Sequence, residues 1–365
     1  MIEKICISKE AISYPYTKKI IEYNPNIKIE YIDDLKEFFN ELSDKDDPIK
    51  EGKKILLLLP FYGKKLKRCP GTKKYLCCGY HVLNIMTNCP FDCSYCILQT
   101  YLNNPWNLFF VNIEDFLLET KNELRKRKSV VRIGTGELAD SLALEPITNI
   151  SSLLIDFFKT IPNGILELKT KSTNIEPLLK LDHRGKTVIS FSLNPDEITK
   201  DEEKEAPSFE KRIKAAKRAQ DAGYFIGFHL DPIIYYPNWE KGYFNLINYL
   251  SKYIDPKNVI WISMGGLRFP PLLKEIIRER FPNNKIITGE LFPGKDGKFR
   301  YLKHIRIFMF KKIFKWIKEW NNDIFIYLCM ESQEVWHEAF GFSPQNMEEL
   351  DLRFHHRIVR LWRKF

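Results

Sequence analysis

Of the eight cysteines in this 365-residue chain, three fall in one short stretch, Cys89-Pro90-Phe91-Asp92-Cys93-Ser94-Tyr95-Cys96. Three residues separate the first pair and two the second. Three thiolates on one tight loop can hold three irons of a [4Fe-4S] cube and leave the fourth without a protein ligand. A substrate or cofactor can then bind that iron directly. Zinc is the competing reading, although a structural zinc normally takes four protein ligands, with its pairs spaced differently. Eight cysteines in a chain of this length do not make a disulfide framework. They point to metal or redox chemistry in a reducing cytosol.

The elements that must position this loop are regular. Apolar, β-branched runs predict strands over Val82–Met86, Val130–Ile133, Ile165–Leu168, Val188–Leu193, Phe225–Leu230 and Val259–Ser263. Helical patterns lie between them, over Ile113–Lys126, Ile150–Lys159, Asn174–Leu181, Phe209–Gly223 and Tyr243–Tyr253, and Leu272–Phe281 follows the last strand. Alternation of this kind implies an α/β fold with a parallel sheet. Six units fit an incomplete (β/α)6 barrel, with an open doubly wound sheet as the alternative. Either way the active site belongs at the carboxyl ends of the strands, and the cysteine loop directly follows the first. The division expected is a small α/β segment at 1–80, the barrel at 81–282 and a basic, aromatic region at 283–365. Within the first part, Asp33–Leu42 reads as an acidic helix and Cys6 as a strand-core residue. Ile324–Met330 reads as one more buried strand, beyond the regular series.

Charge suggests a partner. Lys and Arg number 57 against 47 Asp and Glu, a net +10. No acid occurs from Gly52 to Phe91, where Lys53, Lys54, Lys64, Lys65, Lys67, Arg68, Lys73 and Lys74 fall. None occurs from Gly297 to Lys318, where Lys298, Arg300, Lys303, Arg306, Lys311, Lys312, Lys315 and Lys318 alternate with aromatic residues. Arg353, Arg357, Arg360, Arg363 and Lys364 close the chain. Cations among aromatics suit nucleic acid. At helical spacing Phe310 and Phe314 read rather as core, with the lysines as a solvated face that can still meet phosphate. No apolar run approaches the roughly 20 residues of a membrane span, and Met1-Ile2-Glu3-Lys4 does not begin an export signal, so a cytoplasmic protein is expected.

The CxxxCxΦC arrangement, with Tyr95 as the aromatic Φ, at the end of the first strand of a (β/α)6 pattern resembles the radical S-adenosylmethionine (AdoMet) enzymes. The resemblance implies Cys89, Cys93 and Cys96 as ligands of a [4Fe-4S] cluster, AdoMet on the open iron, and Tyr95 near its adenine. It also implies reductive cleavage to a 5′-deoxyadenosyl radical, and so an electron donor such as flavodoxin or ferredoxin. Gly134-Thr135-Gly136-Glu137 at the second strand end is similar to the glycine-rich motif that receives the methionine ammonium. Lys169 and Lys171 end the third strand, and Lys171, Ser192 and Asn194 are implied AdoMet contacts. His229 and Asp231 end the fifth strand and should face substrate or ribose. Arg268 is an anion contact in the same reading.

Tyr95-Cys96-Ile97-Leu98-Gln99-Thr100, Leu168-Lys169-Thr170-Lys171, Phe191-Ser192-Leu193-Asn194 and Arg212-Ile213-Lys214-Ala215-Ala216 narrow the resemblance to the spore photoproduct lyase group, over roughly residues 80–255. It implies a lyase breaking a C–C bond in a thymine-dimer-like DNA lesion, with a cysteine returning the hydrogen. Two features depart from that group. Its donor cysteine lies in the segment that here reads Gly134–Glu137, and no cysteine stands between Cys96 and Cys329. Its relay tyrosine, just after the last cluster cysteine, is Ile97 here. Cys69, Cys77, Cys78 and Cys329 are then candidates for a donor thiol, for a second metal, or for small buried thiols. The readings left open are a lyase on DNA or a nucleotide, a radical AdoMet enzyme on RNA, a peptide or a small molecule, and a non-catalytic nucleic-acid-binding protein with a structural metal.

Overall fold

The chain passes between two sheets immediately before the cysteine loop. The computed structural model describes residues 2–40, 45–72 and 74–363; Met1, Leu42, Lys73 and Lys364, named above, lie outside the described residues. The first sheet runs Lys28–Ile32, Lys4–Ser8, Ile55–Leu59, Asn107–Phe110, Met86–Thr87. Its first four strands are parallel and the last is antiparallel. Ile55-Leu56-Leu57-Leu58-Leu59 is apolar throughout, as suits a central strand covered on both faces. Cys6 is fully buried here.

The second sheet has eight strands in the order Ile326–Leu328, Val259–Gly266, Phe225–Ile233, Thr187–Ser192, Gly164–Thr170, Val131–Gly134, His81–Leu83, Leu66–Arg68. Seven are parallel; Leu66–Arg68 runs antiparallel to His81–Leu83 at one edge. The sheet curls into a half-barrel. The strands found are the six expected, plus Ile326–Leu328 as a seventh parallel one.

Three local expectations change. The single strand read over Val82–Met86 is two, because Met86–Thr87 leaves the half-barrel to pair with Asn107–Phe110. The helix read over Asn174–Leu181 is only a 3-10 turn at Glu176–Leu178, where Pro177 and the short connection leave no room for propagation. The sheet begun by the N-terminal residues is completed by strands at 86–87 and 107–110. Elsewhere helix limits agree within a few residues, and Gly223 takes φ +91° just beyond the helix Phe209–Asp221, as a C-terminal glycine should.

A strap, described over residues 69–72 and 74–80, links the two edges of the half-barrel. It leaves the edge strand Leu66–Arg68, and Leu76 N donates to Glu331 O at 2.9 Å, just past the opposite edge strand. Thr72 Oγ1 reaches Met330 Sδ at 3.4 Å. Beyond it, the helix Lys303–Trp320 buries Phe310, Ile313 and Ile317, while Phe314 stacks on Phe340 at 4.2 Å. Phe310 and Phe314 thus pack inward, whereas Phe308 on the same helix is exposed. No helix among the described residues is long and apolar enough to cross a membrane.

Candidate active site

Cys89, Cys93 and Cys96 line one cavity of about 280 Å³ at the carboxyl ends of the strands. The loop is shaped locally. Asn88 takes the left-handed conformation at φ 69°, and its side chain ties Cys89 N at 2.9 Å to Pro105 O at 2.7 Å. Cys93 sits in a two-residue antiparallel pairing with Glu203. Gln99 Nε2 donates to Ser94 O at 2.9 Å and closes the far end. Burial pushes the Cys93 thiol up to about 12 and the Cys89 thiol well above its ordinary value, as an apolar wall does to any unligated thiol.

The donor set fits a [4Fe-4S] cluster. Among the described residues no group of three or more His, Cys, Asp or Glu side chains is gathered to hold a single metal ion. Three thiols of one loop that line one cavity are the donors a cube needs, in which each takes its own iron.

The cavity also collects Tyr95, Gly136, Glu137, Lys171, Ser192, His229, Asp231 and Arg268. Lys171 Nζ lies 5.6 Å from the Tyr95 ring centroid. Burial opposes its charge, but Cys93 and Glu203 hold its pKa up, so a cation stands beside the thiols. Asp231 binds Arg268 through both oxygens, at 2.8 and 3.0 Å, and is held below the usual carboxylate range despite its burial.

Gly134, Thr135 and Asn194 do not line the cavity. Gly134 makes room for a phenol, since a Cβ there would lie 1.5 Å from Tyr80 Oη. Thr135 Oγ1 bonds Ser141 Oγ at 2.8 Å. Asn194 spends its amide behind the wall. Its Nδ2 donates to Glu203 Oε1 at 3.0 Å and Tyr95 Oη at 3.2 Å, and its Oδ1 accepts from Tyr243 Oη at 2.9 Å. It supports Tyr95, whose hydroxyl also donates to Glu203.

Two charged groups inside the barrel were missed from sequence. Glu167 accepts from Ser190 Oγ at 2.6 Å and Trp261 Nε1 at 2.9 Å, and meets His229 Nε2 at 2.9 Å. Burial opposes its ionisation, yet Arg132, His229 and Ser190 bring its pKa to about 2. Arg132 lies among the rings of Tyr80, Trp261, Tyr327 and Phe354, at 4.2 to 5.4 Å from their centroids. It donates to Cys78 Sγ at 2.7 Å. The only signal was a lone charge inside an apolar strand, as in Val131-Arg132-Ile133.

The other thiols are partly gathered. Cys69, Cys78 and Cys329 line the same cavity, whereas Cys77 turns to Thr72 N at 3.3 Å. Cys69 Sγ is 3.9 Å from Glu137 Oε1, and burial, then Glu137, pushes its thiol up to about 12.

The family model for spore photoproduct lyase matches residues 2–308. The chain belongs to the spore photoproduct lyase family. That makes it an enzyme of a radical AdoMet lyase family. It is 27% identical to the spore photoproduct lyase of Clostridium acetobutylicum over 310 residues, 84% of this chain and 90% of the relative. It is 29% identical to that of Bacillus subtilis over 214 residues, 58% of this chain and 63% of the relative. A solved spore photoproduct lyase complexed with dinucleoside spore photoproduct superposes with TM-score 0.80 at 23% identity, covering 90% of this chain and 99% of that one. The half-barrel is therefore the fold of this family.

Proposed function

We propose that the chain is a [4Fe-4S], AdoMet-dependent lyase acting on a thymine-dimer-like lesion in DNA. The observation that carries this reading is a single cavity lined by three thiols of one loop, a half-buried ammonium at Lys171, and separate thiols at Cys69 and Cys329. When bound, cluster and AdoMet supply a 5′-deoxyadenosyl radical. The chain's own residues then have distinct tasks. Cys89, Cys93 and Cys96 ligate iron; Lys171 and Ser192 meet the methionine carboxylate; Glu137, with the backbone at Gly136, meets its ammonium; Tyr95 lies along the adenine. His229 and Asp231 face ribose or substrate.

The hydrogen returned to the product comes from a thiol that keeps its proton. Cys69 qualifies best, because burial raises its pKa and no guanidinium among the described residues donates to it; burial also raises Cys329, which accepts from Arg268 Nη2 at 3.4 Å, while Cys78 accepts from Arg132 at 2.7 Å. That substitution of place answers the missing cysteine in Gly134–Glu137 and the isoleucine at Ile97. These two departures also favour a second reading, in which the same barrel acts on RNA, a peptide or a small molecule.

Anaerobic reconstitution should give about four iron and four sulfide per chain, with reductive cleavage of AdoMet to 5′-deoxyadenosine. Stoichiometric zinc and no cleavage would sink the radical reading. Incubation with dinucleoside spore photoproduct should then restore thymine. Active cleavage without thymine would retire the DNA lesion in favour of the second reading.

A further inference from the structure

The cysteine loop is gripped from behind by a short helix of the N-terminal segment. Pro48–Gly52 is capped at its start by Asp47, whose side chain accepts from Lys50 N, and is followed by Lys53. Lys53 is 4% exposed, and its ammonium enters the back of the loop. It donates to Cys89 O at 3.0 Å and to Phe91 O at 2.5 Å, and lies 3.9 Å from Asp92 Oδ1. Arg280, from the helix Pro271–Arg280, binds both oxygens of Asp92 at 3.0 and 3.1 Å and both of Asp47 at 2.9 and 3.0 Å. Asp47, Arg280, Asp92 and Lys53 thus form a ring of alternating charge that the helix closes. The fit is close, because a Cβ on Gly52 would lie 2.5 Å from Pro105 Cβ.

A buried ammonium is costly unless something compensates it. Asp92 compensates Lys53 only in part, since it shares its charge with Arg280. The remaining field falls on the cysteine loop, whose Cys89 and Phe91 carbonyls the ammonium binds. A cube of charge +2 with three thiolates carries −1, and −2 after one-electron reduction. Net charge and hydrogen bonding near such a cluster set its potential.

We propose that Lys53 is a positioning residue that holds the cysteine loop and, through its charge, favours the reduced state of the cluster. This rests on the iron–sulfur reading of Cys89, Cys93 and Cys96. Lys171 faces the cluster from the cavity and Lys53 from behind, so an added electron arrives between two cations.

The test compares reconstituted wild type with Lys53→Met, Lys53→Arg and Asp92→Asn by iron content and by redox titration monitored by electron paramagnetic resonance. Lys53→Met should shift the one-electron equilibrium at least tenfold towards the oxidised state, which is 59 mV downward. Lys53→Arg should restore most of it. Asp92→Asn, which removes a negative charge and leaves the ammonium, should move the potential upward. It keeps the proposal open to refutation should Lys53→Met fail to fold. Unchanged potentials in the folded variants, or shifts of the same sign in Lys53→Met and Asp92→Asn, overturn it. Failure of wild type to take up iron instead defeats the cluster reading itself, before any variant is compared.

Discussion

The Cys69 thiol lies 3.9 Å from the Glu137 carboxylate, so the strap places a sulfur against the strand end where the sequence lacks one. With Cys69→Ala, thymine formation from dinucleoside spore photoproduct should fall at least tenfold while 5′-deoxyadenosine continues to form. Cys329→Ala should leave the coupling between the two products near wild type. The reverse pattern, read by chromatography of both products, would move the donor to Cys329.

The buried Glu145 predicts a pH dependence unrelated to catalysis. It is 1% exposed, one carboxyl oxygen accepts from Ser151, and burial pushes its pKa up to about 7. A folded-state pKa above the unfolded one contributes stability that is fully present below pH about 4.5 and is lost as pH rises through about 7. Glu145→Gln should therefore raise the melting temperature at pH 8 relative to wild type, by up to about 3 kcal/mol of stability, and change little at pH 4.5. Equal shifts in calorimetry at both values would contradict this.

The basic helix is a poorer phosphate surface than its composition suggests. Lys312 pairs with Glu240 at 3.1 Å, Lys315 lies 3.7 Å from Glu319, and Lys318 donates to the carbonyls of Asn322 and Ile324. Arg300 and Arg306 are buried against Asp296 and Glu331. Lys298 instead lines the cavity. For binding of a lesion-bearing duplex, Lys298→Ala should reduce the salt slope by about 1. Lys312→Ala with Lys315→Ala should leave it nearly unchanged, because each lysine brings an acid that repels phosphate. Fluorescence anisotropy across a salt series decides between them.

Much of this molecule is legible because its signals are local. A cysteine triplet, β-branched runs and glycine at helix ends are each read within a few residues, and together they give the barrel and the candidate iron ligands. What escaped depends on distant pairing. Nothing near Lys53 shows that its ammonium reaches Cys89 O, and nothing near Asn194 shows that Tyr95, Glu203 and Tyr243 consume its amide. Arg212 shows the same limit. In the sequence it stands only as the first residue of a short motif, yet it is fully buried, bonded to Ser192 O at 3.0 Å and paired with Glu203. Met86 was assigned to the wrong sheet because an apolar run does not reveal where its chain changes partner.

The described residues of the strap, 69–72 and 74–80, carry Cys69 and Cys78 but no candidate ligand of the cluster, and the strap is tied to the far edge by the Leu76–Glu331 backbone bond. On the proposed assignment, radical generation and radical quenching would lie on separate stretches of chain. Exchange of one surface segment would then retire a quencher, move it or add another, and leave the loop that makes the radical intact.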